Sequence, residues 1–142
     1  MSKENVELVH RAREAFNRRD FRTLAELTHD DLEFVSVLTA VDAGGGTYRG
    51  PEAWVSYFAR MDDTWEDWQV EDFRVFDAGD DRVAAVFRLV GTGKSSGARV
   101  ERAGGIAYWI RDGKFWRIRS YLDPGEALKA VGLSEQGAHA DS

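Results

Sequence analysis

The sequence predicts an α+β domain. Its expected form is a curved antiparallel sheet making a cone, with about three helices from the N-terminal and middle parts of the chain on the concave face and a short C-terminal helix. Three observations carry this expectation. Apolar residues recur at helical spacing near the N-terminus, the pattern turns to β from Val70 onward, and turn signals separate the successive β runs.

Residues 4 to 18 place Val6, Val9, Ala12 and Phe16 on one helical stripe, with charges on the remaining face. Asp20 can cap a second, shorter helix whose Phe21, Leu24 and Leu27 point one way. Leu32, Phe34 and Leu38 then alternate with other residues, as in a half-buried strand. "DAGGGTYRG", residues 42 to 50, reads as a flexible loop. Pro51 suits the first position of a helix that carries Trp54, Tyr57, Phe58 and Met61 on one stripe. "VEDFRVF" is a strand, "DAGDD" a turn, and "RVAAVFRLVGTG" and "ARVERAGGIAYWI" are further strands. "RDGK" is a hairpin signal leading into "FWRIRSYL". Asp123 and Pro124 open a last helix, "PGEALKAVG", which Gly132 ends. The polar tail "SEQGAHADS" is expected to be disordered.

A chain of 142 residues suits one domain, and 43% hydrophobic residues supply a core without staples. The absence of cysteine removes disulfides, thiolate metal sites and thiol nucleophiles, and fits a reducing cytoplasm. A net charge of −6 argues against a general nucleic-acid binder, whose affinity rests on a basic face. No apolar run approaches the roughly 20 residues that span a bilayer, and the charged, amphipathic start is unlike a signal peptide. The expectation is therefore a cytoplasmic protein without nucleic-acid or membrane partners.

The order of elements resembles the nuclear-transport-factor-2-like superfamily, which includes ketosteroid isomerase and the SnoaL-like proteins. The segments that carry the resemblance are "AFNRRDFRTLAELTHDDLEF", "YRGPEAWVSYF" and "WIRDGKFWRIRSYLDPGEALKAVGL". It implies a SnoaL-like α+β cone domain over residues 1–132, a polar tail over 133–142, and a cavity that admits a small molecule. It does not imply one reaction, because one fold hosts many chemistries.

The superfamily's acids can be sought residue by residue. Steroid isomerisation uses a carboxylate base in the first strand and an oxyanion hole made by a tyrosine and a protonated aspartate. An ungapped alignment puts the base position on Ser36, the tyrosine on Ala12 and the aspartate on Ala107. All three proton-handling groups are missing. Members resembling limonene-epoxide hydrolase carry an aspartate just before the tyrosine of "RIRSYL", where this chain has Ser120. Asp123 lies nearby, but its place before Pro124 marks a helix cap.

If Ser36 and Ala107 face the cone, strand alternation also turns Ala85, Phe87, Leu89, Glu101, Ala103, Trp109, Trp116, Ile118, Ser120 and Leu122 inward. Trp54, Tyr57 and Phe58 close the opposite wall. The expected ligand site is thus Ser36, Trp54, Phe58, Phe87, Arg99, Trp109, Trp116 and Ser120, suited to an apolar or aromatic molecule. Glu101 is the first candidate for proton transfer, since burial would raise its carboxyl toward useful values, and Tyr57 is the second. Arg99 either holds Glu101 ionised or receives an anionic ligand. The reading with fewer demands is that both residues sit solvated at a strand end.

Trp65 and Trp68 form either the cavity rim or a cover over the helix-to-strand joint. His29, Asp30 and Asp31 read as a helix exit and strand entry, the histidine favoured by the helix dipole. The three histidines share no ligand spacing, so neither a metal nor another cofactor is expected. Arg88, Tyr108, Arg117, Arg119 and Tyr121 are expected on the outward sheet face, whose composition suits a homodimer. "GTGKSSG" ends like a phosphate loop, but a strand follows it, so it is a hairpin. Two functions fit this pattern. One is a small-molecule pocket protein with or without metal-free acid–base chemistry of isomerase, cyclase or hydrolase type. The other is a non-catalytic dimeric interaction module.

Overall fold

A computed structural model describes residues 3–36 and 46–133 of the chain. Helix α1 (Lys3–Arg18) and helix α2 (Phe21–Glu26) lead into strand β1 (Thr28–Val35) and the short β2 (Thr47–Arg49). Helix α3 (Ala53–Thr64) follows, then β3 (Trp65–Gly79), β4 (Arg82–Gly93), β5 (Arg99–Arg111), β6 (Lys114–Tyr121) and helix α4 (Pro124–Ala130).

Local chemistry sets most boundaries. Asp20 caps α2, its carboxylate accepting from the Thr23 N–H at 3.1 Å and the Thr23 hydroxyl at 2.7 Å. Asp123 caps α4 in the same way, accepting from the Gly125 N–H at 2.9 Å. The β5–β6 hairpin turns on Asp112 and Gly113, both at positive φ (55° and 74°), the geometry a two-residue primed turn demands. Pro51 lies one position before the Glu52 N-cap of α3, in the preceding turn and not in the helix. Residues 47–49 of the expected loop are a strand paired with β1, while 37–45 and 134–142, including Leu38 and the tail, lie outside the described residues. Leu133, expected to open the tail, packs against the α4 side of the sheet.

The sheet runs β2-β1-β6-β5-β4-β3. Every pairing is antiparallel but one: β1 and β6 run parallel, with Phe34 opposite Ile118. The expectation of a purely antiparallel sheet is corrected at that pair. Register shifts interrupt β3 between Glu71 and Arg74, where Asp72 takes a φ of 54°, and bulges of this kind increase bend and twist. The sheet curls without closing, and α1, α2 and α3 fill its concave side with Val9, Leu24, Trp54, Tyr57, Phe58 and Met61.

The convex side carries α4, whose Leu128 and Val131 pack with Ala84, Ala107 and Phe76. This contact is close because of Gly105: a Cβ built there would lie 2.6 Å from the Cβ of Ala127.

Candidate functional site

Directly opposed residues of paired strands share a sheet face, so register shows which side chains enter the cone. Ala85 stands opposite Ile106, Ile106 opposite Ser120, and Val83 opposite Tyr108. Ile106 and Tyr108 therefore point inward. Ala107 and Trp109 point outward, Ala107 under α4 and Trp109 beneath the Arg117 guanidinium, 4.9 Å from its ring centroid.

This reverses the expected orientation of β5. Glu101 belongs to the outer set: its side chain is 57% exposed and lies 3.5 Å from Arg88, which also binds Glu71 at 2.7 Å. It does not line the cavity, and neither does Ala103. Arg99 sits at the turn end of the β4–β5 hairpin, held by Asp67 (3.2 Å) and Thr92 (3.3 Å). Trp116 is expelled by a register shift: Trp109 pairs with Arg117 and Ile110 with Phe115, leaving Trp116 as the extra residue. Its ring lies 4.0 Å below the Arg111 guanidinium, and Phe115 takes the buried place. Leu122 is exposed. Tyr108 leaves the proposed outward set for the same geometric reason, while Arg88, Arg117, Arg119 and Tyr121 remain on or near that face.

The cavity itself measures about 70 Å³. α1 contributes Ala12, Arg13 and Phe16, and α3 contributes Trp54 and Tyr57. The sheet adds Phe34, Trp68, Val70, Phe73, Phe87, Leu89, Ile106, Tyr108 and Ser120. Phe87 and Trp54 line the cavity, whereas Phe58 lines the adjoining recess instead, 4.6 Å from the Phe16 ring. Trp68 is a wall residue and donates its indole N–H to Asp62 at 3.0 Å. Beside the cavity is a wider, polar recess of about 500 Å³ lined by Asn17, Arg19, Glu66, Asp67 and Gln69, sharing Phe16, Trp68 and Val70 with it.

Few polar groups reach the cavity. The Trp54 indole N–H donates to the Thr28 hydroxyl at 2.7 Å, and that hydroxyl donates to the Leu24 carbonyl at 2.6 Å. This relay is structural, since it satisfies buried donors and ties α3 to β1. Ser36, Tyr57 and Ser120 form a second group. Ser36 is fully buried, its hydroxyl 3.5 Å from that of Ser120 and hydrogen-bonded to Tyr57. Burial pushes the Tyr57 phenol far above its ordinary value, the Ser36 hydrogen bond opposes the rise, and the Tyr48 phenol adds to it. Tyr57 is therefore a neutral hydrogen-bonding group at physiological pH and not a base. Burial likewise raises Tyr108, with the nearby Arg13 charge working against the rise.

The chemistry available is hydrogen bonding and cationic stabilisation within aromatic walls. Among the described residues, no carboxylate or imidazole lines the cavity. His29 is in β1 and not at a helix end; its Nδ1 accepts from the Asp31 N–H at 3.0 Å, and its Nε2 lies 3.7 Å from Asp112. Among the described residues, no cluster of three metal-ligating side chains occurs, and no helix is long and apolar enough to cross a membrane.

Arg13, Val70, Phe73, Ile106 and Tyr108 are among the lining residues that the sequence did not place at the cavity. Arg13 had a visible signal: it falls on the stripe Val6, Val9, Arg13, Phe16, a charge where the helix otherwise shows apolar side chains.

Fold and cavity together define a class: an α+β cone whose interior is a small aromatic chamber. Residues 9–118 match the family model of the SnoaL-like domain, and the chain belongs to that family. No curated protein matches it significantly. Among similar solved structures is an NTF2-like protein of unknown function from Burkholderia pseudomallei K96243, with a TM-score of 0.74 and 15% identity, covering 92% of this chain and 98% of that one. A protein provisionally named a polyketide cyclase, from Xanthomonas campestris pv. campestris, aligns with a TM-score of 0.70 and 26% identity over 92% of this chain and 98% of its own. TerC, crystallised with polyporic acid, aligns with a TM-score of 0.73 and 20% identity over 91% and 98%.

Proposed function

We propose that the protein binds a small, mainly apolar or aromatic molecule inside the cone and holds its polar group against Tyr57 and Ser120, with Ser36 backing both hydroxyls from behind the wall. The observation that carries this reading is an aromatic chamber with hydroxyls gathered where the family's isomerases keep an acid. Aromatic walls supply burial, and the few polar groups set orientation. The likeness to provisional polyketide cyclases and to a polyporic acid complex agrees with a ring-bearing ligand. Any reaction in this chamber proceeds by hydrogen-bond polarisation from the neutral Tyr57 phenol, since Glu101 faces away.

Trp54 and Trp68 line the chamber, so a ligand entering it changes their fluorescence. A panel of one-ring aromatic compounds titrated into the protein is expected to give saturable quenching. Ala12→Leu, which fills the chamber from α1, is expected to abolish the quenching while the far-ultraviolet spectrum is retained. Quenching that persists unchanged in this variant places the ligand elsewhere and ends the proposal.

We further propose that two copies associate through the outer sheet face. Trp109 under Arg117 and Trp116 under Arg111 give that face the arginine–aromatic character of an interface core. Sedimentation of Arg117→Glu is expected to move toward monomer, and an unaltered sedimentation coefficient counts against this face.

A further inference from the structure

Two arginines project from α1 and the turn after it toward the rings of the mouth and chamber, and they differ in how their charge is met. Arg19 makes a two-pronged bond to Asp62, at 2.7 and 3.0 Å, and lies over the rings of Phe58 and Trp68. Its charge is fully answered. Arg13 lines the chamber, has no ion pair with any described residue, and keeps a buried Nε without an acceptor. Its guanidinium carbon lies 5.0 Å from the Phe73 ring centroid, and its charge also acts on Tyr108.

Tyr108 is the second unanswered donor. It is buried, it lines the same chamber, and no hydrogen bond joins its hydroxyl to another described residue. The Arg13 Nε gives up water and receives nothing in exchange, which is costly, and the Tyr108 hydroxyl beside it has no protein acceptor among the described residues. Every other lining side chain is apolar or belongs to the hydroxyl and indole groups already hydrogen-bonded.

We propose that Arg13 and Tyr108 form an anion subsite, and that the natural ligand is a compact aromatic acid whose carboxylate, or an equally acidic enol, is held between them. This deepens the preceding reading and rests on it: the two donors select the charge, and the ring is taken as the 70 Å³ chamber widens toward the recess it shares at Phe16, Trp68 and Val70, since a benzene-sized ring needs about 150 Å³. A carboxylate fits because guanidinium offers two parallel donors to its two oxygens, and the phenol supplies a third bond to either oxygen. The low-polarity walls strengthen that pairing relative to water.

Benzoate and benzamide test this directly, since they share size and ring and differ in charge. Each is titrated against the full chain at pH 7, with tryptophan fluorescence as the readout and thermal unfolding as a check on folding. Benzoate is expected to bind at least tenfold more tightly than benzamide. Arg13→Gln is expected to erase that preference by weakening benzoate alone, Arg13→Lys to keep part of it, and Tyr108→Phe to weaken benzoate severalfold with the ring retained. Equal binding of benzoate and benzamide by the unaltered protein overturns the anion subsite and leaves the aromatic chamber standing. So does a benzoate affinity unchanged in folded Arg13→Gln. Failure of both compounds to bind overturns the chamber reading, and the subsite with it.

Discussion

From Gly104 to Ile110, strand β5 has two faces that are both largely covered, and they do opposite work. Inward, Ile106 and Tyr108 border an open chamber, and Gly104 lies against the Phe87 ring, where a Cβ would come within 3.0 Å. Outward, Ala107 and Gly105 are pressed flat under α4, while Glu101 and Trp109 lie in surface contacts with arginines. One residue of register separates a ligand wall from a structural seam. A pocket is thus defined as much by what the other face has filled as by what its own face leaves empty.

The largest expected effect comes from the inner side. Phe115→Ala removes a fully buried ring that sits 5.1 Å from Tyr108, and is expected to cost about 3–5 kcal/mol in urea unfolding. A cost near that of an exposed phenylalanine would show that the inner face tolerates collapse. Next is the outer seam. Gly105→Ala forces α4 away, because its Cβ meets that of Ala127 at 2.6 Å, and about 1–3 kcal/mol should be lost. Hydrogen exchange should rise in α4 first; a rise confined to the helices on the concave side would show the two faces to be one cooperative unit.

A smaller effect tests the mouth. The Arg19 hydrogen bond is the main cause holding the Asp62 carboxyl below its ordinary value of 3.8, with desolvation opposing it. A depressed folded value means the bridge contributes fully above the ordinary value and fades as pH falls through the lower folded one. Asp62→Asn should therefore be less stable than the parent at pH 7, by a few tenths of a kcal/mol for so exposed a pair. Acid titration of both proteins should show the gap closing below that ordinary value; a constant gap rejects the linkage. The smallest effect is Glu101→Gln, which should leave benzoate affinity unchanged. A marked loss there would return Glu101 to the chamber and sink the assignment of the two faces.

Local signals in the chain were readable because their physics is local. Asp20, Asp123 and the Asp112–Gly113 turn act within a few residues, and each stands as the sequence places it. The stripe on α3 was equally plain, since Trp54, Tyr57, Phe58 and Met61 are all buried. β2 was hidden, because a three-residue edge strand beside glycines is made by its pairing with β1 and not by propensity. The facing of β5 was hidden for a different reason. Alternation reports orientation only when one face meets water, and here α4 buries Ala107 while the chamber buries Tyr108. The isomerase resemblance, which set Ala107 inward, then decided the matter wrongly. Trp116 was misplaced because a one-residue bulge leaves no mark in composition. Of the two serines expected at the cavity, Ser120 lines it, while Ser36, just past the end of β1, is fully buried behind the wall against Ser120 and Tyr57.

The parallel pairing of β1 with β6 has a consequence for how the molecule comes into being. The Ser36–Ser120 contact at the polar end of the chamber joins residues 84 positions apart. Both walls of that end come from the first strand and the last, so no nascent chain that stops short of β6 contains a binding site. Loop closure over such a distance makes this contact slow to form relative to the helices and hairpins. During synthesis the chamber therefore waits for β6, with α4 alone of the described elements still to follow.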